Sequence, residues 1–178
     1  VVIRSEVPAA YDTPEGRGRV AEELVDALVE LHAVDWQAAG LTGKGETYLP
    51  RQVERWAKQW ELTRPRTRAL PGLDEATAWL RARIPAEADV SVVHGDYKLD
   101  NVIFAADEPR LLGILDWEMA TIGDPLADLG WLLSTWGDQG DPPGTRQLNN
   151  RSTLTELEGF PSREEMAARY EAKSGRSM

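Results

Sequence analysis

The stretch His94-Gly95-Asp96-Tyr97-Lys98-Leu99-Asp100-Asn101, followed later by Asp116-Trp117-Glu118, decides the fold of this chain. Apolar runs at 90–93, 101–104 and 111–115 lie around it and predict three short strands. Because Asn101 begins one strand and Asp116 follows its partner, we expect these two side chains to meet at one edge of a small β unit. The stretch is therefore predicted to be a loop that strands hold in place.

The residue types in this loop are those that phosphoryl transfer to a hydroxyl requires. Asp96 can accept the proton of the acceptor hydroxyl, and Lys98 can reach negative charge on the transferring phosphoryl group. Asn101 and Asp116 offer the oxygen ligands that Mg²⁺ prefers in proteins. The same positions could serve only the fold, with Asn101 capping a turn. The spacing favours the chemical role, because Asp96 and Asp116 both lie at strand ends among apolar runs.

Further polar side chains lie near the loop in sequence. His94 is predicted to brace the loop rather than to act as a base, because Asp96 already fills that role. Asp128 lies near the start of a predicted helix, where it can turn back and hold the loop backbone. Glu118 fits three roles: a ligand to a second metal, a partner for a substrate amine, or a plain surface residue.

The composition narrows the class of protein. Of 178 residues, 20 are Lys or Arg and 30 are Asp or Glu, so the formal net charge is −10. This acidity argues against a nucleic-acid binder and against binding to an anionic membrane surface, and it implies that a phosphate ligand is reached through metal cations. The absence of cysteine excludes disulfides and thiolate catalysis. Because no apolar run is long enough to span a bilayer, we expect a soluble, cytoplasmic protein.

Helical patterns lie on both sides of the central stretch. Thr13 is predicted to cap a helix that runs to about residue 35. A second helix is predicted over 51–62, with Trp56 and Trp60 in a stripe that faces the core. A third helix is predicted to begin at Asp74 and to end before Pro85. A fourth is predicted to begin at Asp124 and Pro125. The last is predicted to begin with a capping box at Ser162 and Glu165 and to end at Gly175.

A basic loop between the second and third helices carries Arg64, Arg66 and Arg68. Two interpretations of these arginines stay open: a solvated loop, or contact with an anionic substrate. Substrate choice is expected to depend on residues 36–75 and 137–175. Neither range contains a motif that identifies the substrate.

Together, these motifs resemble those of the aminoglycoside phosphotransferase family, which is choline kinase-like and has a protein-kinase-like fold. The stretch Gly123-Asp124-Pro125-Leu126-Ala127-Asp128-Leu129 completes the match, which covers roughly residues 16–175. The residues of this stretch resemble most closely those of the kinase-like domain of acyl-CoA dehydrogenase family members 10 and 11 and their bacterial relatives. The resemblance implies that Asp96 is the catalytic aspartate and that Asn101 and Asp116 bind the Mg²⁺ of bound ATP.

The resemblance also implies an α+β fold: the mainly helical C-terminal lobe of a protein-kinase-like enzyme, with a small β-hairpin unit that carries the catalytic loop. We expect residues 1–178 to be this lobe, cut at both ends and lacking the N-terminal lobe. The acceptor is expected to be a small molecule with a hydroxyl group: aminoglycoside-like, choline- or sugar-like, or a hydroxyacyl-CoA. The alternative is a non-catalytic, pseudokinase-like binding module. A metal-dependent phosphohydrolase is disfavoured, because the chain has only two histidines.

Overall fold

A computed structural model describes residues 1–85, 89–142 and 153–177 of the protein. The helices are α1 (Pro14–His32), α2 (Tyr48–Thr63), α3 (Gly72–Arg81), α4 (Leu126–Thr135) and α5 (Arg163–Ser174). The strands are β1 (Ser91–Val93), β2 (Val102–Phe104), β3 (Leu111–Ile114) and β4 (Thr121–Gly123). The predicted α+β class is confirmed. Within the described ranges, no helix is both long enough and apolar enough to cross a membrane.

The strands form two antiparallel pairs that frame the loop at 94–101. β2 pairs with β3 as predicted, with Val102 opposite Ile114, and Leu115 N donates to Asn101 O at 2.8 Å. This pairing places the backbone of residue 116 next to that of residue 101. β1 pairs with β4, a strand that the sequence analysis did not predict, because three residues are too short to show an alternating pattern.

Helix α1 is the central element of the core. Val20, Leu24 and Leu28 are fully buried along one of its faces, and burial of each such side chain contributes about 1.5–3 kcal/mol. Tyr97, also fully buried, packs in the same cluster, and its hydroxyl donates to the carbonyl oxygen of Leu24 at 2.8 Å. The loop that contains Asp96 is therefore anchored directly on α1.

The sequence predicted several helix starts from capping residues. These starts are confirmed where the capping side chain bonds to a backbone N–H a few residues on. Thr13 Oγ1 accepts a hydrogen bond at 3.1 Å from the backbone N–H three residues on. Ser162 and Glu165 form the predicted capping box of α5. Helix α4 begins one residue later than predicted, at Leu126, and Asp124 Oδ1 accepts a hydrogen bond from its N–H at 2.9 Å.

Helices α2 and α3 pack on each other outside the main core. Tyr48 is the only buried residue of the two helices. Trp56 is 61% exposed and Trp60 is half-buried, so the prediction that both face the core is wrong. Their stripe faces α3 and a surface cleft rather than α1. Asp74 is not an N-cap, because α3 already begins at Gly72.

The start of α2 is fixed against β4 by a close approach. A Cβ atom at Gly123 would lie 2.7 Å from the ring of Tyr48, which is 8% exposed. Only glycine allows this contact without displacing the ring. Helix α2 is thereby held beside the loop at 94–101.

Helix α5 is tied to α1 by charged groups. Arg169 donates two hydrogen bonds of 2.8 Å to the carboxylate of Asp26, and Lys173 contacts the same carboxylate. Partial burial raises the pKa of Asp26, but the hydrogen bonds and charges of Arg169 and Lys173 outweigh it and leave the pKa below its ordinary value. Ionised Asp26 therefore stabilises the fold.

We expect Asp26→Asn to lower the free energy of unfolding by about 1 kcal/mol at pH 7. Because the folded pKa of Asp26 is lowered, its contribution is present above the unfolded pKa and is lost as the pH falls through the folded value. The difference between wild type and variant should therefore shrink below about pH 4. Urea unfolding between pH 7 and pH 2.5 measures it. Glu30→Gln, at an exposed position of the same helix, is the control, and a pH-independent difference for Asp26→Asn would contradict the prediction.

Candidate active site

The carboxylate of Asp96 lies at the centre of the candidate active site, and three side chains donate to it. Lys98 Nζ lies 2.9 Å from Oδ2 and 3.2 Å from Oδ1. Asn101 Nδ2 donates to Oδ2 at 2.8 Å and to the backbone oxygen of Asp96 at 2.9 Å. Trp131 Nε1, from α4, donates to Oδ1 at 2.7 Å. The structure thus brings Asp96, Lys98 and Asn101 together and adds a tryptophan that the sequence analysis missed.

These donors keep Asp96 in its charged form. Partial burial raises the pKa of Asp96, but the hydrogen bonds from Lys98, Trp131 and Asn101 and the charge of Lys98 bring the pKa below its ordinary value. An ionised carboxylate at the edge of a cleft can orient a hydroxyl and accept its proton. Each carboxylate oxygen already receives two of these hydrogen bonds, so a bound hydroxyl would have to replace one donor.

The backbone before Asp96 is fixed by Asp128 of α4. The carboxylate of Asp128 is 1% exposed, and it accepts hydrogen bonds from the N–H of His94 at 2.6 Å and of Gly95 at 2.8 Å. Gly95 has a φ of 85°, and a Cβ there would lie 2.7 Å from the backbone oxygen of Met119. Only glycine fits this position. The contact that the sequence predicted between Asp128 and the loop backbone is present.

His94 is fully buried beneath the loop. Its Nε2 lies 2.7 Å from the carbonyl oxygen of Leu115, and its Nδ1 lies 3.2 Å from the N–H of Asp96. One neutral tautomer, protonated at Nε2, satisfies both contacts, so neither ring nitrogen is left for a general base. The ring also meets Trp117 edge-on, with centroids 4.8 Å apart. Its role as a brace stays a prediction, and this geometry supports it.

The second histidine, His32 at the end of α1, also contacts Asp128. Its Nε2 lies 3.3 Å from Asp128 Oδ2, and its Nδ1 lies 2.7 Å from the hydroxyl of Tyr170 in α5. Burial raises the pKa of Tyr170 to about 12, so its hydroxyl stays protonated at neutral pH. The sequence predicted only a histidine that packs or caps at a helix end.

Asn101 and Asp116 keep oxygen atoms available for a metal. Both hydrogen bonds of the Asn101 side chain use Nδ2, and within the described ranges neither its Oδ1 nor the Asp116 carboxylate has a hydrogen bond. Asp116 has a φ of 65°, a left-handed backbone that costs a non-glycine residue about 1–3 kcal/mol and is typical of functional sites. Hard oxygen donors of this kind fit Mg²⁺.

Other acidic side chains do not build a competing metal site. Across residues 1–85, 89–142 and 153–177, no group of three or more His, Cys, Asp or Glu residues could hold a metal ion. Glu118 is exposed, and in these ranges it forms no hydrogen bond or ion pair. Its three predicted roles therefore stay open.

A cleft of about 600 Å³ opens beside Asp96. Its walls include Tyr48, Arg51, Arg55 and Trp56 of α2 and Trp131 of α4. The arginines that the sequence offered for an anionic substrate lie elsewhere. Arg64 forms ion pairs with Asp74 and Glu61, and Arg66 and Arg68 are exposed outside the cleft.

Comparison with known proteins gives the family. The family described as "Phosphotransferase enzyme family" matches residues 3–167. The chain belongs to this family. It is 34% identical over 168 residues to acyl-CoA dehydrogenase family member 11 from Rattus norvegicus, a match that covers 92% of this chain and 21% of that protein. The chain thus spans about a fifth of this curated relative.

Solved structures of phosphotransferases share the fold. A candidate aminoglycoside phosphotransferase from Ralstonia eutropha has 34% sequence identity and a TM-score of 0.80, and the match covers 100% of this chain and 54% of that one. A macrolide 2′-phosphotransferase from Brachybacterium faecium has 21% identity and a TM-score of 0.58, with 99% and 54% covered. The protein-kinase-like fold expected from the sequence agrees with these neighbours.

Three cleft residues escaped the sequence analysis of this phosphotransferase family member. Trp131 lies two positions after Leu129, on the face of α4 that points away from the core, where a tryptophan is unexpected. Arg51 and Arg55 form a pair of like charges one helical turn apart. These are signals of a functional surface, but only the fold shows that all three line the cleft beside Asp96.

Replacing Asp128 by Asn should lower the free energy of unfolding by about 2–4 kcal/mol. The amide would present a donor or a neutral oxygen to two buried N–H groups that now bind a carboxylate. Urea unfolding of both proteins measures the change. The matched control is Asp124→Asn, which weakens one hydrogen bond at the start of the same helix and should cost about 1 kcal/mol or less. Equal losses in the two variants would show that the loop does not depend on Asp128.

Proposed function

We propose that this protein transfers the γ-phosphoryl group of ATP to a hydroxyl group of a small molecule, with Mg²⁺. The observation that carries the proposal is the ionised Asp96 beside a cleft, with Lys98 and the amide of Asn101 bound to its carboxylate. Membership of the phosphotransferase enzyme family supports it. We also propose that the chain is the C-terminal, catalytic lobe of such an enzyme and that the enzyme acts in the cytoplasm.

In the proposed reaction, the O–H bond of the acceptor breaks and its proton passes to the carboxylate of Asp96. The acceptor oxygen forms a bond to the γ-phosphorus, and the bond from that phosphorus to the β,γ-bridging oxygen breaks, so that ADP leaves with this oxygen. Help from a general base of this kind is worth about 10²–10⁴-fold. Lys98 would move from Asp96 to the transferring phosphoryl group, which leaves room at the carboxylate for the acceptor hydroxyl.

We assign Asn101 Oδ1 and the Asp116 carboxylate as the protein ligands of Mg²⁺. The ion would offset the negative charge of the nucleotide phosphates when it is bound. Asn101 has two tasks in this arrangement, because its Nδ2 holds Asp96 while its Oδ1 is left for the metal. The left-handed backbone of Asp116 fits a residue whose position is set by function.

For the acceptor, we propose an aminoglycoside-like, choline- or sugar-like molecule, or a hydroxyacyl-CoA. The named solved relatives include aminoglycoside and macrolide phosphotransferases, whereas the curated relative carries an acyl-CoA dehydrogenase name. The identity is 34% to both the curated relative and the solved candidate aminoglycoside phosphotransferase, so identity alone does not choose among these acceptors.

Asp96→Asn should lower kcat by about 10²–10⁴-fold, because the amide cannot accept the hydroxyl proton. The measurement is acceptor-dependent ATP turnover by the full-length protein with a panel of hydroxyacyl-CoA, aminoglycoside, choline and sugar acceptors. Asp107→Asn, in the turn between β2 and β3, is the control and should change kcat by less than about twofold. Equal rates for wild type and Asp96→Asn would contradict the assignment of Asp96 as the base.

The same assay separates the alternatives. Binding of Mg²⁺–ATP without phosphorylation of any acceptor favours a non-catalytic binding module. Release of phosphate without an acceptor alcohol favours a phosphohydrolase. Phosphorylated acceptor is expected only for a kinase.

Trp131→Phe should shift the acidic limb of the pH profile of kcat/KM to higher pH. The indole N–H lowers the pKa of Asp96, and activity is lost as the pH falls through the pKa of a required base, so a raised pKa moves this limb upward. Loss of one hydrogen bond predicts about two- to tenfold lower kcat/KM near neutral pH. Trp79→Phe, on the exposed face of α3, should leave the profile in place. An unshifted limb in Trp131→Phe would show that the indole does not act on Asp96.

A further inference from the structure

Arg51 and Arg55 lie one turn apart on α2, and both line the cleft that contains Asp96. Arg51 Nη1 donates to Thr47 Oγ1 at 3.1 Å, and the guanidinium carbon of Arg55 lies 5.6 Å from the ring centroid of Trp56. Two like charges at this spacing repel each other, and the pair costs the isolated helix a few tenths of a kcal/mol. A ligand that brings negative charge would remove this cost.

Within the described part of the chain, neither arginine has a carboxylate partner. Most of the other basic side chains are paired there. The paired ones are Arg17, Arg19, Arg64, Arg81, Lys98, Arg110, Arg163, Arg169, Lys173 and Arg176. Two arginines that lack a carboxylate partner and line one cleft leave their charge available to an anionic ligand.

The rest of the cleft lining carries little negative charge. Among the residues that the structure describes, Asp96 is the only carboxylate in the lining, and it is paired with Lys98. The other walls are largely aromatic and apolar, from Tyr48, Trp56 and Trp131. A polycationic acceptor would therefore meet two arginines and one carboxylate.

We propose that the acceptor carries an anionic group, a phosphate or a carboxylate, which Arg51 and Arg55 bind while its hydroxyl lies at Asp96. This inference rests on the proposed function. The planar guanidinium forks suit bidentate binding of such anions. The aromatic side chains that line the same cleft would contact the body of the molecule. Of the acceptor classes above, a hydroxyacyl-CoA carries such an anionic group on its carrier, whereas the cationic aminoglycosides and choline carry none.

The test compares an acceptor that carries phosphates with one that carries none. Hydroxybutanoyl-CoA is the anionic acceptor, and hydroxybutanoyl-pantetheine has the same hydroxyl but lacks the phosphates and the adenosine. In the full-length protein, Arg51→Gln and Arg55→Gln should each raise KM for the CoA thioester about tenfold or more, as expected when one charge-assisted hydrogen-bonding group is lost. KM for the pantetheine thioester should be high in wild type and should change less than about twofold in the variants.

Matched variants control for charge and folding. Lys58→Gln removes a positive charge from the same helix outside the cleft and should leave both KM values unchanged. Arg51→Lys and Arg55→Lys should recover part of the affinity, because lysine keeps the charge but loses the bidentate fork. Thermal unfolding should be unchanged in all of them, since both arginines are exposed.

Several results would overturn the proposal. One is a KM for the CoA thioester that neither Arg51→Gln nor Arg55→Gln changes. Another is a rise in KM for ATP instead, which would place the arginines on the nucleotide. A third is efficient phosphorylation of a cationic or neutral acceptor that the arginine variants leave intact.

Calorimetric binding of hydroxybutanoyl-CoA separates this proposal from the proposed function. Weaker binding in both arginine variants, without turnover in any protein, would sink the kinase assignment and keep the anion site. If turnover continues and binding is unchanged in both variants, the kinase assignment stands and the anion site at Arg51 and Arg55 is wrong.

Discussion

The buried carboxylate of Asp128 is the contact on which the candidate active site depends. It accepts the backbone N–H groups of both His94 and Gly95, so the two residues before Asp96 have one backbone arrangement. Hydrogen bonds to a carboxylate are stronger than neutral ones, and burial removes the competition from water. The same burial makes the charge costly if a partner is lost. The loop and the N-terminal turn of α4 therefore stabilise each other.

This dependence extends to the helices behind the loop. His32 links Asp128 to Tyr170, which places the end of α1, the start of α4 and the middle of α5 around one buried polar network. Tyr97 adds a fully buried anchor to the carbonyl of Leu24. Rigid support of this kind holds a catalytic side chain in a fixed geometry. The position of Asp96 therefore depends on the packing of the helical core.

The features that the sequence predicted correctly are those that local chemistry decides. Capping at Thr13 and at Ser162, and the β2–β3 hairpin beside Asn101, each depend on a few neighbouring residues. The orientation of α2 was predicted wrongly because an amphipathic stripe specifies one apolar face but not what covers it. In this fold that face packs partly on α3 and partly borders the cleft, so Trp56 is exposed. The hydrogen bond from Trp131 to Asp96 joins residues 35 positions apart, and no local pattern predicts such a contact.

Net charge is also a poor guide to what this cleft can bind. A charge of −10 suggested that a phosphate could be reached only through metal cations. At physiological ionic strength, however, screening confines the influence of exposed charges to about 8 Å. The charged groups that matter most to a ligand there are therefore those beside the cleft, where Arg51 and Arg55 lie in the lining with Asp96 and Lys98 pairs with Asp96. An acidic chain can thus hold a locally positive cleft, and the placement of a few arginines carries more information about its ligand than the sum of all charges.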